Sequence, residues 1–408
     1  MPVLETVPAA PASIDDVRRR NLGRLLQLLH DRGPTSRADL TALTGLNRST
    51  VKTLTEDLVH ARLVRETEPV GRGGAGRPSI TVEPESERVH VIALDIGVAH
   101  LTALRIGLGG VVLDRRELRQ GRADYTVRRT VARVVRLVGE LLDGAPAGAR
   151  CVGIGVGVCG VVSDDDGVVR FAPNLGWVDV PLRSVLADRL DTTLPVVMGN
   201  DGDLGARGEH LRGVARGVPD VVYVAGEIGV GGGIIVAGTP MRGVGGYGGE
   251  IGHMVIDARG PVCRCGRRGC WETAISEEAV LRTTGAPPGT TFLQVLEAHR
   301  DGATWTRAGM RRVGRALAVG VGNLINVFNP GLIVFGGTVR HVFAATEDVV
   351  RESLAGVLAA PGEQVRLAVA GLGDDSVAFG AAELAFAQLL DDPLGTMAAL
   401  PVVARTGA

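Results

Sequence analysis

Aromatic rings are scarce in this chain. Phe, Trp and Tyr together make up 3% of its 408 residues, too few to build the stacking platforms that hold single-stranded nucleic acid. Lys52 is the single lysine among 44 basic residues, a bias that reads as GC-rich codon usage rather than chemistry. Five cysteines do not make a disulfide scaffold in a chain of this length. Three of them cluster between Cys263 and Cys270, which suggests a metal in a reducing compartment. No apolar run approaches the ~20 residues of a membrane span, so no membrane partner is expected. The N-terminus lacks a basic start followed by an apolar stretch; no secretion signal is read there, and the chain is expected in the cytoplasm. Net charge is −1, from 44 basic and 45 acidic residues, which argues against nucleic-acid binding by the chain as a whole.

What is abundant is glycine, 59 residues, about twice the usual ~7% and suited to tight turns that approach a ligand closely. With 45% hydrophobic and 22% charged residues the chain is globular, and its length allows two to four domains of ~100–200 residues. The near-neutral total conceals a local excess: residues 16–82 hold twelve Lys and Arg against seven Asp and Glu. A basic module ahead of a mildly acidic body fits DNA binding at one end.

Residues 1–15 read as a disordered arm. From Val17 the pattern is helical, with Leu22, Leu25, Leu26 and Leu29 on one face and a stop near Gly33-Pro34. Ser36 is placed to cap a second helix that Gly45 ends. Asn47 is placed to cap a third, with Leu46 stapling onto Val51. That third helix buries Val51, Leu54 and Leu58 and presents Arg48, Ser49, Lys52 and Thr53 outward near its start. A strand, a Gly/Arg loop holding Arg72 and Arg77, and a second strand follow. Three helices and a two-stranded basic wing describe a winged helix-turn-helix over 16–85. Arg48 and Lys52 are expected on guanine in the major groove, Ser49 and Thr53 on phosphate or base. Arg72 and Arg77 are expected in the minor groove or on phosphates. The alternative is a three-helix protein-interaction module.

Over 86–390 strands and helices alternate twice. Strands are expected at 89–95, 151–162, 194–198, 221–225, 329–337 and 365–369, and helices at 126–142, 308–328 and 376–390. Two α/β lobes around a cleft fit this order. The tail, 391–408, carries no signal. Cys263, Cys265 and Cys270 lie on a turn tightened by Gly266 and Gly269, with His253 ten residues upstream. Three thiolates and an imidazole make a closed, structural zinc (Zn2+) site. Cys151 and Cys159, in an apolar strand, are expected as inert core.

The stretch GEIGVGGGIIVAGTPMRGVGGYGGEIGHMVIDARGPVCRCGRRGCWE (226–272) resembles the signature of the ROK family of bacterial sugar kinases and repressors. With the winged helix in front, the resemblance covers roughly 16–390 and implies the repressor branch. The implied fold class is α/β: an N-terminal winged helix-turn-helix followed by a two-lobed hexokinase/actin-like domain, its zinc loop at 253–272. It also implies that Asn174, Asn200, Asp201, Glu250, His253 and Glu272 hold a sugar, with Asp201 in the position of the kinase base and His253 touching both zinc and sugar.

The phosphate loops depart from the family's kinase pattern. Asp-Ile-Gly-Gly-Thr becomes Asp95-Ile96-Gly97-Val98-Ala99-His100, losing a glycine and a hydroxyl. In the second loop Ile228 replaces a threonine, and Glu227 brings a negative charge. The expectation is therefore a sugar-responsive regulator, read as a repressor of carbohydrate genes. It would bind a palindromic operator in double-stranded DNA as a homodimer or homotetramer and answer to a sugar or sugar phosphate. The alternatives are an active ATP-dependent sugar kinase with an added DNA-binding domain, and a DNA-binding protein whose body only dimerises.

Overall fold

The computed structural model describes residues 13–68, 79–121, 125–163, 165–226, 228–357 and 364–400. The chain opens with α1 (Ile14–Arg32), β1 (Thr35–Ser36), α2 (Arg37–Thr44), α3 (Arg48–His60), β2 (Val64–Thr67) and β3 (Thr81–Pro84). Local chemistry sets these boundaries. Ser13 and Asp16 form a reciprocal capping box at the start of α1. The Ser36 hydroxyl accepts from Asp39 N and the Asn47 amide oxygen from Thr50 N, so both act as the expected caps. Gly45 ends α2 at φ 71°, where a side chain would be strained. The three short strands form one sheet in the order β1-β3-β2, the wing of a winged helix.

Two lobes follow. The first holds β4 (Val89–Ile96), β5 (His100–Gly107), β6 (Val111–Arg119), α4 (Val127–Asp143) and β7 (Arg150–Val158), and after them a small sheet of β8 (Val161–Val162), β9 (Val169–Ala172) and β10 (Trp177–Val180). Then come α5 (Leu182–Leu190), β11 (Val196–Asn200) and α6 (Asp201–Leu211). The second lobe is β12 (Val221–Ala225), β13 (Gly231–Val236), β14 (Thr239–Pro240), α7 (Glu272–Ile275), α8 (Glu277–Thr284), α9 (Phe292–Arg300), α10 (Thr304–Phe328), β15 (Leu332–Phe335), α11 (Gly337–Leu354) and β16 (Arg366–Val369). The chain returns to the first lobe with α12 (Ser376–Asp391) and α13 (Pro393–Ala399).

The two large sheets repeat one design: an antiparallel meander of three strands extended by two parallel ones, in the orders β11-β7-β4-β5-β6 and β14-β13-β12-β15-β16. The glycines of β7 have a packing reason. A Cβ on Gly155 would fall 2.0 Å from Ala381 O and one on Gly157 2.4 Å from Val377 Cγ1, so α12 lies directly on the strand.

Two expectations are corrected. Helix α1 begins inside the stretch read as an arm, and α13 occupies the start of the stretch read as a featureless tail. The leucine stripe of α1 packs on more than the neighbouring helices of the N-terminal unit. Leu22, Leu25, Leu26 and Leu29 belong to one continuous apolar cluster that also contains Val51 and Leu58 of α3, Val89 and Val91 of β4, and Phe386 and Leu390 of α12. Gly23 lets the helices touch: a Cβ there would fall 2.5 Å from Leu390 O.

Candidate functional site

A cleft of about 620 Å³ lies between the lobes. All six residues expected to hold a sugar line it: Asn174, Asn200, Asp201, Glu250, His253 and Glu272. They arrive from four places. Asn174 stands in the turn between β9 and β10, and Asn200 and Asp201 at the passage from β11 to α6. Glu250 and His253 flank a single 3-10 turn, and Glu272 starts α7.

Their engagements differ. The Asn200 amide is committed to backbone: its oxygen accepts from Gly202 N (2.7 Å) and Asp203 N (3.1 Å), and its nitrogen donates to Gly160 O (2.8 Å). It therefore works as the cap that aims α6 at the cleft, a role its expectation as a sugar contact did not include. Asp201, the first residue of α6, is recessed beside Asp95. Burial, and next the Asp95 charge, push its carboxyl up to about 7. Burial also raises the Glu250 carboxyl, with His253 opposing and Glu272 adding to the rise. The Glu272 carboxylate accepts from Val230 N (3.4 Å) and from the Cys263 thiol (2.8 Å).

Cys263, Cys265, Cys270 and His253 converge, their ligand atoms all within 4.8 Å of one another. The Cys265–Cys270 sulfurs are 3.6 Å apart, as are Cys263 Sγ and His253 Nδ1. A tetrahedral site with metal–sulfur bonds of about 2.3 Å needs edges of roughly 3.7 Å. The donor set and its spacing thus fit a metal ion. Gly269 is required for this turn, since a Cβ there would fall 1.6 Å from Asp257 O. The imidazole joins the two sites: Nδ1 faces the thiols, while Nε2 stands 3.9 Å from Glu250 Oε2 in the cleft.

The turn after β4 carries a feature that was not evident from the sequence alone. The His100 ring fills the turn at Gly97, where a Cβ would fall 2.3 Å from its Cε1, and its Nε2 lies 3.0 Å from Asp95 Oδ2. The signal was present as an imidazole five residues after an aspartate, across the turn that holds phosphate in the kinases. Ile228 packs against the apolar cluster of the first lobe. Glu227 lies outside the described residues. Arg264 was also missed. It sits between two of the cysteines and donates to the Asn174 amide oxygen (2.8 Å), bridging the cleft.

On the N-terminal unit, Arg48, Ser49, Lys52 and Thr53 are all exposed on the first turns of α3. Arg72 and Arg77 lie outside the described residues. Among the described residues, no helix is long and apolar enough to cross a membrane.

Two lobes of repeated topology around a cleft, fronted by a winged helix-turn-helix, define a protein of hexokinase/actin-like fold with a regulator's architecture. Residues 91–388 match the ROK family, and the chain belongs to it. The xylose repressor of Bacillus subtilis (strain 168) is 28% identical over 379 residues, 92% of this chain and 97% of that one. A crystal structure of a ROK family transcriptional regulator, a homologue of the E. coli MLC protein, superposes with a TM-score of 0.76 at 26% identity, covering 94% of this chain and 99% of that one. A ROK family glucokinase from Streptomyces griseus, in complex with glucose and AMPPNP, superposes with a TM-score of 0.63 at 28% identity, covering 72% of this chain and 98% of that one.

Proposed function

We propose that the protein is a sugar-responsive, DNA-binding transcriptional regulator, a repressor of carbohydrate uptake or metabolism. Residues 16–85 are the DNA-binding unit and 86–390 the sugar-binding body. The observation that carries this reading is the contrast within one cleft. The sugar side keeps Asn174, Asp201, Glu250, His253 and Glu272 around open space, while on the nucleotide side His100 occupies the turn at Gly97. Phosphoryl transfer needs backbone amides and small hydroxyls free to hold a triphosphate. Ring and β-branched side chains in those turns oppose it.

In this reading Asn174, Glu250, His253 and Glu272 hydrogen-bond the hydroxyls of a sugar or sugar phosphate, with Asn200 holding Asp201 in place. Asp201, pushed up to about 7 by burial and by Asp95, can accept or donate one such bond. His253, Cys263, Cys265 and Cys270 hold a structural zinc ion, which orders the loop that carries Glu250 and Glu272. Arg48, Ser49, Lys52 and Thr53 enter the major groove of a palindromic operator, with Arg72 and Arg77 at the wing, and the working unit is a homodimer in the cytoplasm. A ligand alters DNA affinity only by binding the two lobe arrangements unequally.

The relatives' names make D-xylose and D-glucose the first sugars to try. Genome-wide mapping of binding sites supplies a DNA fragment. Its electrophoretic titration then shows affinity changing with one sugar or sugar phosphate; a panel without effect counts against ligand control. Asp201 keeps a second reading, a functioning kinase, in view. A coupled ADP-release assay decides it: turnover with any hexose or xylose, lost in Asp201→Asn, replaces the first reading.

A further inference from the structure

Three parts of the molecule meet at one buried cluster outside the cleft and away from the exposed start of α3. His30 comes from the last turn of α1, Glu383 from α12 and Arg212 from the C-terminal end of α6. His30 and Glu383 are 0% and 2% exposed. His30 Nδ1 accepts from Gly109 N (2.9 Å), which leaves the ring hydrogen on Nε2, facing both Glu383 carboxylate oxygens at 3.1 and 3.2 Å. Arg212 Nε donates to the same carboxylate (2.6 Å) and its Nη1 to His30 O (2.7 Å). Burial pushes the Glu383 carboxyl up, but the bonds from His30 and Arg212 outweigh it and bring it down to about 2. Nearby, Arg216 Nη2 donates to Asp31 O (2.9 Å). Two arginines that follow α6 thus hold the last carbonyls of α1, where cations are favoured.

The helices that carry these groups belong to different bodies. α12 lies on β4 and β7 of the first lobe, and α1 rides on α12 through the Gly23–Leu390 contact. α6 packs on β12 and β13 of the second lobe. α6 and α12 cross in backbone contact: a Cβ on Gly380 would fall 1.8 Å from Leu204 O, and one on Gly208 2.2 Å from Ser376 O. Glu209 pins the crossing by accepting from Ser376 Oγ (2.7 Å), Gly371 N (3.0 Å) and Leu372 N (2.9 Å). This contact fixes one point about which the two helices can shift against each other when the lobes move. Both also reach the cleft, α6 with Asp201 and α12 with Ser376 and Val377. Eleven residues of helix, roughly 16 Å at 1.5 Å per residue, separate the cleft from Arg212.

We propose that Arg212, Glu383 and His30 are the coupling point through which rotation of the second lobe against the first reaches the DNA-binding unit. Opening or closing the cleft swings α6 about its crossing with α12. Arg212, beyond that crossing, then tightens or releases its hold on the end of α1 while Glu383 stays with the first lobe. The three are positioning residues, since none touches sugar or DNA. The proposal rests on the effector reading for its purpose, but its mechanics can be tested without an effector.

Hydrogen–deuterium exchange on the full chain is the readout. In Glu383→Gln, which keeps shape and removes charge, amides of α1 and of the Asn200–Asp203 turn in the cleft both exchange faster, by about tenfold. Arg212→Gln gives the same pattern and Arg212→Lys a weaker one; these serve as the probes if Glu383→Gln does not fold. Faster exchange in α1 alone, with the cleft turn unchanged, makes the cluster a simple fastener and overturns the proposal. D-Xylose and D-glucose are then titrated calorimetrically into the parent chain. If one binds and alters exchange in α1, Glu383→Gln still binds it but loses that alteration; persistence of the alteration overturns the proposal. If neither sugar binds, those two effectors fail, while the ligand-free comparison still decides the coupling.

Discussion

A methyl group added at Gly155 would fall 2.0 Å from the Ala381 carbonyl oxygen, and backbone cannot move aside as a flexible side chain can. Gly155→Ala is therefore expected to cost about 1–3 kcal/mol, read by denaturant unfolding. A loss below ~0.5 kcal/mol shows that α12 can shift on its strand. Asp201 gives a pH signature. Its folded carboxyl titrates near 7, above the ordinary value of 3.8, so the stability tied to its neutral form is present below pH 4 and lost as pH rises through 7. Asp201→Asn, always neutral, should match the parent near pH 4 and gain on it towards pH 8. A stability difference that stays constant across that range contradicts the burial account. The glycines of β7 and the Asp201 pair were visible in the sequence because their types are unusual for their places. The reason for the glycines was not, because the helix they admit lies more than 200 residues downstream.

The cysteine loop and α3 are elements whose design is short-range. Cys263, Cys265, Cys270 and His253 span 18 residues, and the capping residues Ser36 and Asn47 act three residues ahead, so both could be read directly. Zinc analysis should return one ion per chain. Cys265→Ser should lose it and weaken sugar binding by about 10–100-fold in calorimetry, because Glu250 and Glu272 lie on the loop it orders. Unchanged sugar affinity in the metal-free variant would separate the two sites. On α3, Arg48→Ala and Lys52→Ala should each weaken DNA binding. Where the contact is to phosphate, the slope of log affinity against log salt should fall by about one. What stayed hidden at this scale was the partner of the α1 stripe. Leu22, Leu25, Leu26 and Leu29 have the spacing of a face that packs on α2 and α3, and nothing local says that β4 and α12 share it. The His30–Glu383 pair, 353 residues apart, is beyond any periodicity.

For the whole molecule, the proposed function makes cleft and winged helix linked equilibria. If a sugar weakens DNA binding by some factor, DNA must weaken sugar binding by the same factor. Calorimetry with and without a mapped DNA fragment checks this reciprocity, and unequal factors would mean that assembly state changes as well. The sequence order of the two lobes was legible because strand and helix patterns recur twice; the close crossing of α6 and α12 was not, because it is a contact of backbones at Gly208 and Gly380. The continuous cluster from Leu22 to Phe386 has a further result. A fragment ending at residue 85 would bare an oily stripe to water, and the remainder would bare its seat. Neither half should be soluble alone. A lineage wishing to exchange its DNA reader for another could not splice it in at that junction; it would have to inherit the matching surface of the body too.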